Sequence, residues 1–231
     1  MNRRLDAREY ARLVAGGRVL ERDGHGVKVW WLPGDRILKL FRVKRWFTSA
    51  RLRPYHVRFA RNAARLARLG VAVPEVERLV RIPHLKRQGV LYRVLPGRTF
   101  SELLAPEPPL DLLERLAAFL AELHRDGVYF RSVHPGNVVL CDDGRPGLID
   151  LQDVRFRSRP LTTGERARNF RHLYAGRHAE PLRRWGVEPF LELYLEALSL
   201  EPPQRDRTRR HMLRHRALRG LISSSAGAKG R

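Results

Sequence analysis

The sequence is poor in cysteine, in lysine and in acidic side chains. One cysteine, Cys141, stands among 231 residues, so no intramolecular disulfide can form. The residues after it, Asp142, Asp143 and Gly144, read as a turn rather than as metal ligands. That usage fits a reducing compartment, and a cytoplasmic protein is expected. Nowhere do about 18 apolar residues run together, the least that spans a bilayer. The opening MNRRLDAREYARLVAGG carries basic residues but no apolar stretch of signal-peptide type. Neither a membrane span nor export by that route is expected.

Acidic residues number 24 against 46 basic ones, which gives a formal net charge of +22. Only 5 of the basic residues are lysine and 41 are arginine. Two readings of this charge stand side by side. One is a solvated basic surface whose arginine skew follows codon composition. The other is attraction for anionic partners: nucleic acid, a phosphorylated glycolipid or phosphosugar, or the anionic inner face of a membrane. With 43% hydrophobic and 30% charged residues, the chain can bury a core as one large domain or two small lobes.

Residues 17–47 alternate apolar and polar positions around two turn signals, Asp23-Gly24-His25-Gly26 and Pro33-Gly34-Asp35, and this predicts three successive antiparallel strands. A helix follows, with Val57, Ala60, Ala64, Leu66 and Leu69 at roughly helical spacing and Gly70 as its stop. VAVPEVERLVRIP and GVLYRVLPG read as further strands, so residues 1–95 form a mostly antiparallel sheet lobe with one helix. After Pro96 the pattern turns helical. Thr99 to Leu104 is short, and DLLERLAAFLAELHRDG sets Leu112, Leu113, Leu116, Phe119, Leu120 and Leu123 on one face before Gly127 ends it. A short hairpin, two helical stretches (ERARNFRHLYAG and EPFLELYLEAL) and a break at Pro202-Pro203 complete a lobe over 96–203. Residues 204–231 form a basic tail with a helical middle around Met212 to Leu221 and a frayed end, SSSAGAKGR. The fold class expected is α+β, in two lobes.

The chemistry concentrates in HPGNVVL and GLIDLQD, within residues 134–153. Asn137 heads one strand and Asp150 ends the returning one, which would bring an amide oxygen and a carboxylate to one end of a hairpin. Hard oxygen donors so placed suit Mg2+ held against a triphosphate. In the other lobe Lys39 interrupts the apolar run Ile37-Leu38-Lys39-Leu40-Phe41. A cation there is unfavourable unless it meets an anion, and nucleotide phosphate is one. His25, His84, His124, His172 and His178 show no metal-binding spacing and read as core or surface histidines, while adjacent Trp30 and Trp31 should point to opposite faces of their strand.

A small sheet lobe with a strand lysine, a linker, a helix, a catalytic-type loop and Ile149-Asp150-Leu151, in that order, resembles the protein-kinase-like fold. Within it, residues 18–200 resemble the small bacterial lipopolysaccharide core kinases that phosphorylate Kdo or heptose, especially short relatives labelled toluene tolerance protein. The loop form HPGN also occurs in aminoglycoside and choline kinases. The resemblance implies ATP and Mg2+ as cofactors. It assigns Lys39 to the α/β-phosphates, Asn137 and Asp150 to the metal, Gly24 and Gly26 to the start of a glycine-rich loop, and Val94 to Gly97 to the adenine-binding linker.

The sequence departs from the family at three points. Val29 replaces the third glycine; Phe130 and Ser132 stand where the family loop has histidine and the aspartate that handles the substrate proton; and no glutamate lies between Phe41 and Pro74 to orient Lys39. Asn62 or a neighbour could replace that glutamate by hydrogen bonding. Ser132, His134 and Asp153 remain as catalytic candidates. Phosphoryl transfer leans on positioning and charge neutralisation, and loss of a base slows it by about 10²–10⁴-fold rather than forbidding it. Three functions therefore stand: a phosphotransferase acting on an anionic glycolipid or sugar hydroxyl at the inner membrane face; a pseudokinase binding or regulatory module; and a kinase-like protein associated with RNA, the least favoured because no RNA-binding motif is recognisable.

Overall fold

Two structural units share the chain in the computed structural model, which describes residues 2–43 and 54–226. The first runs Met1–Pro96 and takes in Asp150–Gln152; the second comprises Gly97–Ile149 and Asp153–Arg231.

The first unit opens with β1 (Asn2–Arg4) and α1 (Ala7–Val14), neither of which the hydrophobic pattern had suggested. The signal was present as Asp6-Ala7-Arg8-Glu9. Asp6 accepts from the Glu9 N–H and Glu9 accepts from the Asp6 N–H, a reciprocal cap that satisfies two otherwise orphaned donors. β2 (Arg18–Asp23), β3 (Gly26–Leu32) and β4 (Arg36–Arg42) form the expected meander. After α2 (Tyr55–Arg68), β5 (Glu75–Ile82) and β6 (Arg87–Arg93) complete a six-stranded sheet in the order β1-β5-β6-β4-β3-β2, antiparallel except where β1 runs parallel to β5.

One core of this unit gathers Leu5, Leu32, Leu38, Leu40, Val80, Ile82 and Leu91 beneath α1, against Tyr10, Leu13, Val14 and Trp30. Trp30 donates from its indole to the Tyr10 hydroxyl (3.0 Å), whereas Arg18 lies over the Trp31 ring, as alternation along β3 requires. The buried face of α2 is His56, Phe59, Ala63 and Leu66; Ala64 and Leu69 are exposed, which corrects the predicted face. The ring of Phe59 decides the orientation by stacking on Tyr92 of β6 (centroids 5.1 Å apart), and small alanines cannot outweigh that area. Residues 44–53, which include the end of the 17–47 stretch expected as strands, lie outside the described residues.

In the second unit β7 (Gly97–Thr99), α3 (Phe100–Leu103) and α4 (Leu110–Arg125) are followed by β8 (Val128–Phe130), β9 (Val138–Cys141), β10 (Pro146–Leu148) and β11 (Val154–Phe156). β10-β9-β7 form one small sheet and β11-β8 another. α5 (Thr163–Leu173), α6 (Glu180–Trp185), α7 (Val187–Ala197), α8 (Pro202–Arg214) and α9 (Arg216–Ala226) complete it. The apolar stripe of α4 buries Leu113, Leu116, Phe119, Leu120 and Leu123 as expected. Pro202 and Pro203 open α8 rather than merely breaking the chain, since the first turn of a helix has no need of their missing N–H. Met212 of α8 and Leu218 of α9 are fully buried, so this stretch is packed. The backbone of 223–226 continues α9 where fraying was expected; residues 227–231 lie outside the described residues.

Candidate functional site

Lys39 is a central-strand residue, opposite Val29 of β3 on one side and Val90 of β6 on the other. Its side chain is 14% exposed, and its ammonium forms an ion pair with the carboxylate of Asp150, 30% exposed. This pair answers the absence of a glutamate after Phe41: the strand lysine is neutralised by the aspartate instead. Asp150 holds a left-handed backbone (φ 62°), a conformation that aspartate tolerates better than branched or bulky residues do. The Asn62 amide donates to the Leu151 carbonyl (2.7 Å), so the residue proposed as a hydrogen-bonding substitute supports the turn that carries Asp150. Tyr92 lies near the same carboxylate; burial first, and then the negative charge of Asp150, push its hydroxyl above the usual tyrosine range.

Gly24 and Gly26 form the β2–β3 turn. Gly26 is at φ +111°, where any side chain is strained, and a Cβ at either glycine would meet open space. Sequence reasoning missed the residue that fixes this turn. Arg87 of β6, 5% exposed, donates to the Asp23 carboxylate (3.1 Å) and to the His25 carbonyl (2.9 Å). The His25 N–H and then Arg87 hold the Asp23 carboxyl below its usual range. Val29, at the third-glycine position, is a strand residue in register with Lys39.

In the second unit the loop between β8 and β9 carries Ser132, His134 and Asn137. The Asn137 amide nitrogen donates to the Ser132 carbonyl (2.9 Å) and bonds His134 Nε2 (3.1 Å). Because the Ser132 carbonyl can only accept, the NH2 must face into the loop, which turns Oδ1 away as the atom able to meet a cation. His134 then uses Nε2 as an acceptor, and its ring stacks on His178 (5.3 Å, 15°). Gly136 makes room for this, since a Cβ there would come within 2.8 Å of the His178 ring. The Asn137 carbonyl accepts from the Ile149 N–H (3.0 Å) and the Asp153 carbonyl from the Arg131 N–H (3.5 Å). Ser132 meets Asn137 through its carbonyl oxygen, and no carboxylate occupies its position.

Beneath this loop lies a buried chain that the sequence did not reveal. His124 of α4 bonds the Tyr194 hydroxyl (2.7 Å) and Asn169 Oδ1 (2.8 Å), and Asn169 Nδ2 donates to the Phe130 carbonyl (2.6 Å). Phe130 ends β8 ahead of the loop, and Asn169 anchors it there through its backbone carbonyl. Burial drives the His124 imidazole down to about 3, and it stays neutral at physiological pH. Among the described residues, no three His, Cys, Asp or Glu side chains form a group able to hold a metal ion. Mg2+ keeps most of its waters and asks for fewer protein ligands than that.

The profile of the APH phosphotransferase enzyme family matches residues 20–126, a little under half of the chain. The matched stretch contains the strand lysine, the sheet from β2 onward and α4. This is a kinase-like fold. No curated protein matches the chain. Among solved structures, the chain is similar to WbdD, described as a bifunctional kinase-methyltransferase, with TM-score 0.48 and 16% identity over 88% of this chain and 48% of that one. A second crystal structure of WbdD gives TM-score 0.47 and 15% identity over 86% and 48%. A co-crystal of WbdD with a kinase inhibitor gives 0.43 and 18% over 85% and 48%. The chain thus spans about half the length of these structures. Among the described residues no helix is long and apolar enough to cross a membrane.

Proposed function

We propose that the protein is an ATP-dependent phosphotransferase of the lipopolysaccharide core kinase type, close to the short relatives labelled toluene tolerance protein, acting on an anionic glycolipid or sugar hydroxyl at the cytoplasmic face of the inner membrane. The observation that carries this reading is the Lys39–Asp150 pair: a lysine inside an apolar strand meets an aspartate 111 residues away in the chain. In this role Lys39 would serve the α/β-phosphates, Asp150 would be an oxygen ligand of Mg2+, and Asn137 would offer a second oxygen donor through Oδ1. Gly24 and Gly26, in a turn held by Arg87, leave open space for phosphates. Mg2+ would supply neutralisation of charge on the triphosphate. Of the remaining candidates, Asp153 keeps a carboxylate, and His134 would have to give up its bond to Asn137 to take a proton.

A pseudokinase is the second reading, and Ser132 favours it: no carboxylate stands where the substrate proton would go. One experiment addresses both. Saturating ATP and Mg2+, at about 100 times Kd, should stabilise the protein by about 2.7 kcal/mol. Asp150→Ala should abolish that shift, and label from γ-labelled ATP should pass to lipopolysaccharide core above the Lys39→Ala background. No shift with the unaltered protein refutes nucleotide binding; a shift without transfer favours the pseudokinase.

A further inference from the structure

The arginines of α8 are sorted by face. Arg205 and Arg209, one turn apart, form ion pairs with Glu188, Glu192 and Glu196 of α7. Arg207, Arg210, His211, Arg214 and His215 recur at i, i+3, i+4, i+7 and i+8, which is one continuous stripe of the helix and its C-cap. These five residues line a concavity of about 420 Å³. Among the described residues, Arg207, Arg210 and Arg214 take part in no ion pair, although α7 places three glutamates within reach of the neighbouring turn positions.

The stripe is held in shape. Met212, fully buried, anchors α8 from within. His215 has an extended backbone that ends the helix, and its Nδ1 accepts from the Ala217 N–H (3.2 Å). Nε2 therefore carries the proton in the neutral ring and is a donor. Burial first, and then Arg168 of α5, His211 of α8 and Arg216 of α9, lower the proton affinity of the same imidazole. A solvated basic face has no reason to crowd like charges into a hollow, and an anion seated there would relieve that repulsion.

We propose that this concavity is a binding site for a small ligand carrying two or more phosphate groups, gripped by the guanidinium forks of Arg207, Arg210 and Arg214 with His211 and His215 as further donors. Guanidinium matches phosphate oxygens two at a time, and the volume suits a compact phosphorylated headgroup or phosphosugar. A nucleic-acid strand is a poorer fit, because no tryptophan, tyrosine or phenylalanine lines the site to stack a base. The site lies wholly in the second unit and does not depend on the kinase reading.

The test uses the full chain, the triple variant Arg207→Gln/Arg210→Gln/Arg214→Gln, and a charge-matched control, Arg8→Gln/Arg68→Gln/Arg115→Gln. All six positions are exposed, so both variants should keep their fold. The probes at about 150 mM salt are pyrophosphate by calorimetry, phosphatidic acid vesicles against phosphatidylcholine vesicles by sedimentation, and a mixed-sequence RNA. The expected result is at least about a tenfold loss of affinity in the α8 variant with little change in the control. Selective loss for pyrophosphate supports the proposal, and a parallel loss for phosphatidic acid vesicles would extend the site to a headgroup presented at a membrane. Equal weakening in both variants, absence of pyrophosphate binding, or a selective loss confined to phosphatidic acid vesicles or to RNA overturns the proposal.

Discussion

Replacing Lys39 by methionine and Asp150 by asparagine, singly and together, measures what the ion pair contributes. Methionine keeps the length of the lysine stem, and asparagine accepts the left-handed backbone at residue 150, so neither change alters shape much. Two unit charges about 4 Å apart attract by about 4 kcal/mol at an effective dielectric of ~20. Against that stands the desolvation of an ammonium 14% exposed and a carboxylate 30% exposed. The net coupling should be about 1–2 kcal/mol. The singles should be unequal: Asp150→Asn leaves the less exposed charge unpaired and should cost about 1–3 kcal/mol, and Lys39→Met, which leaves a better solvated carboxylate, less. The double variant should lose less than the sum. Urea denaturation followed by far-UV circular dichroism gives the cycle, and in thermal terms the coupling is about 2–8 °C for a chain of this size. Additive singles, within about 0.3 kcal/mol, would refute the claim that the pair neutralises the strand lysine.

Two further outcomes follow from the buried groups. His124 and His56 are driven by burial to about 3 and about 4, below the ordinary histidine value. The unfolded chain therefore binds protons that the folded one does not, and stability falls as pH drops below ~6.5, by up to about 1.4 kcal/mol per unit for each ring until its folded value is reached. Urea midpoints at pH 7.5, 6 and 5 should show a shallower decline in His124→Gln, and identical slopes would count against His124 as the acid-sensitive group. Gly97 sits at φ +133°, and a Cβ there would come within 2.2 Å of the Leu140 carbonyl oxygen. Gly97→Ala should cost about 3 kcal/mol or more, and an unaltered melting temperature would contradict the tight β7–β9 approach.

Much of the fold was legible in the residues. Strand alternation gave the β2–β4 meander, and the leucine stripe gave α4, because both patterns report a single buried face. β1 and α1 escaped because their signal is a cap and not a stripe. The face of α2 was misread because one aromatic ring counts for more area than several alanines. Lys39 and Asp150 stood out from their apolar surroundings, but the bond between them did not, since a separation of 111 residues leaves no trace in local pattern. Arg87, Asn62 and the chain from His124 to Phe130 were hidden for a related reason: each acts by bonding a main-chain carbonyl, and a carbonyl carries no sequence signature.

The far-separated segment Asp150–Gln152 also sets a clock on biosynthesis. Lys39 leaves the ribosome 111 residues ahead of its counter-ion, and Asn62 precedes the Leu151 carbonyl by 89. At about 5–20 residues per second, the strand lysine waits roughly 6–22 s for its partner. During that interval the meander carries a cation in its apolar run without its partner aspartate, so the first unit reaches its final form only after the Gly97–Ile149 part of the second has been made.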